Sequence, residues 1–336
     1  MNINTLQSRA AVLVFPGQGS QWSGMAAELL DESAVFAGRL RECAAAVEAH
    51  VDWSVEDVLR QRNGAPSLNR VEVVQPVLFS VHVALAEMWL AHGLEPIAVV
   101  GQSQGEVAAA CVSGALTLDD AAGVIVTRSQ LFADELVGTG GIASIGLSAA
   151  EIGEYLAGYG DQLDIAGIIG PRSVTVAGAQ DALTDLVARL DAEGVRAKTI
   201  AASIPSHCAA IDALHDPLVQ RLSFVRPRST RIPLYSTVTA SPIDGPEMTS
   251  DYWYANARQP VLFEPAMRRL LADGGRVFVE SSANPVLTAA MSAIADEVGC
   301  PAVISGTLRR GCGGLDQFLT ALSGVPVAAI PAETAA

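Results

Sequence analysis

At 336 residues, half of them hydrophobic and 17% charged, the chain is long enough to bury a substantial core and too apolar to be largely disordered. A formal charge of -15 at pH 7 argues against a nucleic-acid-binding face, which needs a basic excess. The five cysteines, Cys43, Cys111, Cys208, Cys300 and Cys312, are scattered with no C-x-x-C pair, so neither a disulfide frame nor a metal site is implied.

The first apolar stretch, Ala10 to Phe15, reads as a short buried strand. It is too short for a signal-peptide core and follows no basic region, and no segment reads as approaching the length and hydrophobicity of a membrane span, so a cytoplasmic protein without membrane contact is expected. Pro16 to Trp22 is a loop whose glycines allow close backbone approach. Phe36, Leu40, Cys43 and Val47 recur at helical spacing, and Val74 to Trp89 predicts a long apolar helix leading through Gly93 into the strand Pro96 to Gly101. That strand turns at Gly101-Gln102-Ser103-Gln104-Gly105 into an Ala-rich helix, the strand-turn-helix context of a nucleophile elbow. Its two glycines let Ser103 occupy a tight turn at the carboxyl end of a strand, with a helix N-terminus aimed at its hydroxyl, which suits acyl transfer through a serine ester.

The middle of the chain alternates differently. Gly141 to Leu147, Leu163 to Ile169, Ser173 to Ala177 and Val195 to Ile200 read as strands, with helices at Ala149 to Ala157 and Ala182 to Ala192. This βαββαβ order is the ferredoxin-like unit. Further strands are expected at Arg231 to Thr237 and Arg276 to Glu280, with a closing loop and helix at Thr307 to Gly324. The predicted fold class is α/β: a large α/β-hydrolase-like domain with a parallel sheet, residues 1–138 and 202–336, carrying an inserted small ferredoxin-like domain at 139–201.

Five histidines compete for the role of base. His50 and His92 sit near helix ends, His82 lies within an apolar helix, and His215 falls on a polar helix. His207 follows a strand and Pro205 and precedes a helix expected near Ala209, a placement open to either a base or a structural hydrogen-bond partner.

Phe15 to Trp22, the elbow Gly101 to Glu106, the arginine of Thr127-Arg128-Ser129-Gln130, Ile204 to His207, and Glu280 to Leu287 follow one another in an order that resembles the acyltransferase domains of modular polyketide synthases and the malonyl-CoA:acyl carrier protein transacylases. The resemblance covers about Val12 to Leu322. It implies that Ser103 is the nucleophile and His207 its base, that the backbone N–H groups of Gln18 and Gln104 hold the oxyanion, and that a main-chain carbonyl at Asn284 orients the imidazole, with Asp212 a less favoured partner. It further implies that Arg128, which by itself would read as a surface or salt-bridge residue, grips the free carboxylate of a malonyl-type group. The substrates so implied are acyl-CoA and the phosphopantetheine thiol of an acyl carrier protein, with no bound cofactor.

Within that family a His-Ala-Phe-His tetrad accompanies malonyl and Tyr-Ala-Ser-His accompanies methylmalonyl groups. Here it is Ile204-Pro205-Ser206-His207, and Ser206 leaves room for a branch. Arg70 to Gln75 also resembles the methylmalonyl-selective pattern, so a 2-substituted malonyl unit (methyl, ethyl or larger) is expected. Gln102, Ile169 and Asn284 depart from frequent family residues, and Gln102, Ile169, Ile204, Pro205 and Ser206 are expected to line the side-chain pocket. Alternatives are a discrete transferase moving another acyl group between carrier proteins and an editing acyl-thioesterase. A start at Met1 without recognisable flanking linkers favours a chain acting in trans on a polyketide synthase assembly line, its carrier docking on Arg221, Arg226, Arg228 and Arg231 or on Arg309 and Arg310.

Overall fold

Along β1 (Arg9–Phe15) successive side chains point to opposite faces of a sheet: Ala11, Leu13 and Phe15 enter one apolar core, and Val12 and Val14 enter a second. Burial on both faces explains the unbroken apolar run and places helices on either side. A computed structural model of the chain describes residues 9–200 and 204–326. Ser203, the expected domain boundary at 201/202, Met1 and the chain from residue 327 lie outside them.

After β1 come α1 (Leu29–Glu32), α2 (Ala34–Glu48), α3 (Val55–Leu59), α4 (Val71–Ala91), β2 (Leu94–Gly101), α5 (Gly105–Ser113) and α6 (Leu118–Leu136). The helices α2, α4, α5 and α6 supply most of the first core. Helix α4 corrects one sequence expectation. It is long and apolar enough to cross a membrane by length and composition, yet 89% of its apolar window is buried inside the protein, where it packs between α2 and α6. His82 sits inside it, 1% exposed, and desolvation pushes its imidazole down to about 3, so it stays neutral as a packed core residue.

A second sheet follows, from β3 (Gly141–Ile145), α7 (Ala149–Leu156), β4 (Leu163–Gly170), β5 (Ser173–Gly178), α8 (Gln180–Ala192) and β6 (Ala197–Thr199). The four strands pair antiparallel in the order β6-β3-β5-β4, which is the ferredoxin-like arrangement, over a core of their own.

The chain then runs through α9 (His215–Arg221), β7 (Leu234–Ser236), β8 (Ser241–Ile243), α10 (Ser250–Arg258), β9 (Val261–Leu262), α11 (Phe263–Ala272), β10 (Val277–Glu280), α12 (Thr288–Val298), β11 (Val303–Gly306) and α13 (Leu315–Gly324). The helix expected near Ala209 is a 3-10 segment, Ala209–Leu214, that leads into α9. The large sheet has the order β11-β10-β1-β2-β7-β8 and is parallel except for the β7/β8 hairpin. The sequence did not disclose β9. These two residues pair parallel with Gly167 and Ile168 of β4, extending the small sheet from a segment that belongs to neither of its predicted halves.

Candidate active site

The two elbow glycines are demanded by space. A Cβ on Gly101 would lie 2.2 Å from the Glu106 nitrogen, and one on Gly105 would lie 2.1 Å from the Phe15 carbonyl oxygen. Between them Ser103 adopts φ +54, a left-handed conformation that costs a side-chain-bearing residue about 1–3 kcal/mol. The turn is held by Gly105 N–H donating to Gln102 O at 2.9 Å and Glu106 N–H donating to Ser103 O at 3.0 Å.

Ser103 Oγ lies 2.7 Å from His207 Nε2, and His207 Nδ1 lies 2.9 Å from the carbonyl oxygen of Gln259. A carbonyl only accepts, so Nδ1 carries the proton and Nε2 is left as the acceptor facing the serine hydroxyl. His207 also has a left-handed backbone, φ +59, pinned by its N–H donating to Ala257 O at 2.9 Å. The expected role of Asn284 is therefore corrected: Gln259, just past α10, orients the imidazole. The Asn284 carbonyl accepts instead from the Ser282 hydroxyl at 3.0 Å, and its Oδ1 accepts from Arg310 N–H at 3.1 Å. Asp212 is engaged by Arg258 and Tyr254, away from the imidazole. Burial first, and the Arg128 charge second, pull His207 down to about 4, opposed by the Gln259 bond.

Arg128 lies within α6, two turns before its end, and is 3% exposed. Its Nη1 donates to Asn256 Oδ1 at 2.8 Å, its guanidinium carbon stands 5.1 Å from the centre of the Phe132 ring, and its buried Nε has no hydrogen-bond partner. Burial lowers the guanidinium to about 10, opposed by Glu106, so it remains cationic at neutral pH. A buried cation with an unused donor edge fits a planar anion that brings its own charge.

Ser103, His207 and Arg128 line one cavity of about 410 Å³, together with Gln18, Gln104, Gln102, Ile169, Ile204 and Ser206. Of the expected pocket residues only Pro205 is elsewhere: it lines a separate cavity with Thr139, Asp164 and Cys208, because the chain turns tightly at it, Ser206 N–H donating to Ile204 O at 2.8 Å. Gln102 Oε1 accepts from Gly17 N–H at 3.1 Å, which ties the loop after β1 to the elbow. The backbone N–H groups of Gln18 and Gln104 have no acceptor among the described residues. Gln75 explains part of the Arg70 to Gln75 signal: it is buried at the cavity and donates to Gln18 Oε1 at 3.1 Å, while Arg70 and Glu72 pair with each other on the surface.

Several partners escaped the sequence reading. Besides Gln259 they are Asn256 and Glu106, both buried, and the apolar wall of Ile142, Ala166 and Val261. The Glu280 to Leu287 stretch is structural around its acid: the Glu280 carboxylate accepts from the N–H groups of Val286, Leu287 and Thr288 and so caps α12. Among the described residues no group of three or more His, Cys, Asp or Glu could hold a metal ion.

A family model described as "Acyl transferase domain" matches residues 12–330. The spectinabilin polyketide synthase system protein NorC of Streptomyces orinoci is 48% identical over 329 residues, covering 98% of this chain and 14% of that protein. Erythronolide synthase EryA2 of Saccharopolyspora erythraea is 44% identical over 330 residues, covering 98% of this chain and 9% of that protein, so this chain spans a small part of either relative. Among solved structures, the acyltransferase domain from module 8 of the salinomycin polyketide synthase matches with a TM-score of 0.92 at 48% identity, covering 95% of this chain and 76% of that one. A loading acyltransferase from the avermectin modular polyketide synthase matches with a TM-score of 0.90 at 46% identity, covering 93% and 98%.

Proposed function

The chain belongs to the acyl transferase domain family and is an acyltransferase, and from that premise we propose that it moves a 2-substituted malonyl unit from coenzyme A to the phosphopantetheine thiol of an acyl carrier protein in polyketide assembly. The observation that carries this reading is Arg128, cationic, buried and with an unused Nε, in the same cavity as the Ser103–His207 pair.

In the proposed cycle Ser103 Oγ attacks the thioester carbonyl as its proton passes to His207 Nε2. The tetrahedral oxyanion accepts from the N–H groups of Gln18 and Gln104, donors of a kind worth about 3 to 4 kcal/mol each. Collapse breaks the C–S bond, and the coenzyme A thiolate takes the proton from His207. The acyl-serine ester is then attacked by the carrier's thiol, which gives its proton to His207; the C–O bond breaks and the proton returns to Ser103. Throughout, the Arg128 guanidinium holds the free carboxylate by charge and hydrogen bonds. The substituent on the α-carbon meets Ile142, Ala166, Ile169, Ile204 and Val261, while Ser206 takes little space beside it.

The test is a competition among malonyl-, methylmalonyl-, ethylmalonyl-, longer alkylmalonyl- and propionyl-CoA, read as the mass of the covalent intermediate. A 2-substituted malonyl adduct is expected to dominate. A dominant propionyl adduct would remove the clamp from the reading, and a dominant unsubstituted malonyl adduct would remove the pocket.

The pH dependence follows from His207. The base must be neutral to accept the serine proton, and its pKa is held near 4 rather than 6.5. With propionyl-CoA, which presents no free carboxylate to Arg128 and so reads the base alone, acylation kcat/KM is therefore expected to stay level from neutral pH down to about 5 and to fall as pH drops through about 4. An acid limb centred near 6.5 would contradict the buried, Arg128-facing imidazole. For stability the sign is the same: between pH 6.5 and about 4 the unfolded chain binds a proton here that the folded chain does not, so stability falls as pH is lowered through that window.

A further inference from the structure

Arg128, Asn256, Glu106 and Thr237 form a chain of side chains that are 3%, 2%, 0% and 1% exposed. At one end the Glu106 carboxylate accepts from Thr237 N–H at 2.6 Å, and Thr237 Oγ1 donates to Gly101 O at 2.9 Å, at the end of the elbow strand. At the other, Glu106 Oε2 accepts from Asn256 Nδ2, which also faces Ser103 O at 3.3 Å. Burial pushes the Glu106 carboxyl up to about 7, opposed by its bonds to Thr237 and Asn256, and its ionised form, which has only lone pairs to offer, takes the amino side of the Asn256 amide. The carbonyl side must then face the other way, and there it accepts from Arg128 Nη1 at 2.8 Å.

We propose that Asn256 is a positioning residue that sets the orientation of the Arg128 guanidinium, and that Glu106 fixes which way round the Asn256 amide lies; this deepens the carboxylate-clamp reading above and rests on it. The amide works as a neutral spacer. It tethers one corner of the guanidinium without neutralising it, so the charge stays available to a carboxylate in the cavity that Arg128 lines. A direct Arg128–Glu106 contact would satisfy the cation internally. Removing the spacer makes Glu106 a competitor of the substrate for the guanidinium.

The experiment uses the full chain and a competition between methylmalonyl- and propionyl-CoA, read as the ratio of the two acyl adducts by mass. Wild type must favour the carboxylated adduct; a wild-type preference for propionyl overturns the clamp reading itself, whatever the variants do. Given that preference, Asn256→Ala is expected to lower the ratio by ~100-fold, the scale of a misplaced binding group, and adding Glu106→Gln is expected to regain about 10-fold of it by removing the competing anion. The isosteric Asn256→Asp keeps the side-chain volume but supplies a charge that holds the guanidinium, so its ratio falls as well; it reads the proposal even where the alanine variant does not fold. A purely structural network predicts the opposite pattern, with both adducts lost alike and the double variant worse than the single one. An unchanged ratio in either Asn256 variant, or a double variant no better than Asn256→Ala, overturns the proposal.

Discussion

Ser103→Ala is expected to leave no acyl adduct with any thioester and to lower turnover on the order of 10⁶-fold, the scale seen when a nucleophile acting as a unit with its base is removed. The size of the effect follows from the 2.7 Å contact to His207, since losing either partner of that pair disables both. Alanine keeps the left-handed backbone at φ +54 no worse than serine does, and the flanking hydrogen bonds involve only main-chain atoms, so the elbow should persist. Intact-protein mass after mixing with acyl-CoA, alongside a thermal melt, is the check. An adduct of acyl mass on a folded Ser103→Ala chain would move the covalent step to another residue.

Arg128→Ala is the second large effect, and it is selective. Truncating one partner of a buried charge pair costs about 2–5 kcal/mol, so kcat/KM for carboxylated thioesters is expected to fall roughly 30- to 5,000-fold while propionyl transfer gains in relative terms. A second readout comes from the base. The Arg128 charge is the second cause holding His207 near 4, so its removal should move the acid limb of the pH profile upward towards 6.5. Misfolding would produce neither the change of preference nor the displaced limb. Full retention of carboxylated preference by Arg128→Ala would contradict the clamp.

How much was legible in the chain depended on whether side chain or backbone does the work. Ser103 stood out because the geometry of its turn requires glycines at 101 and 105, and a required glycine leaves a residue signature. The small sheet was legible because β3 alternates buried and half-buried residues and α8 buries Ala182, Leu183, Leu186 and Leu190 at helical spacing. Gln259 has no signature in the sequence because it acts through its carbonyl oxygen, which every residue possesses, and the resemblance points instead to Asn284, in a motif whose acid caps a helix. Pro205 lies away from the cavity because a tetrad read as a block hides the tight turn at Pro205, which leaves Ile204 and Ser206 on the cavity and the residue between them outside it. Asn256 and Glu106 were passed over for a different reason. Their meaning lies in a three-way contact across elements distant in sequence, and the elbow glutamate alone reads as an ordinary first-turn acid of α5.

The short stretch from Asn256 to Leu262 touches Arg128, His207 and the edge of the small sheet. Asn256 meets Arg128, Ala257 and Gln259 hold His207 by its main chain and its ring, and Val261 and Leu262 pair with the β4 residues Gly167 and Ile168 beside the acyl pocket. Anyone who swaps the inserted unit between relatives to change the accepted building block should therefore cut so that this seven-residue splice travels with it. A graft bounded only by the ferredoxin-like strands would import a foreign edge partner, and with it a foreign registration between the β4 wall of the cavity and His207.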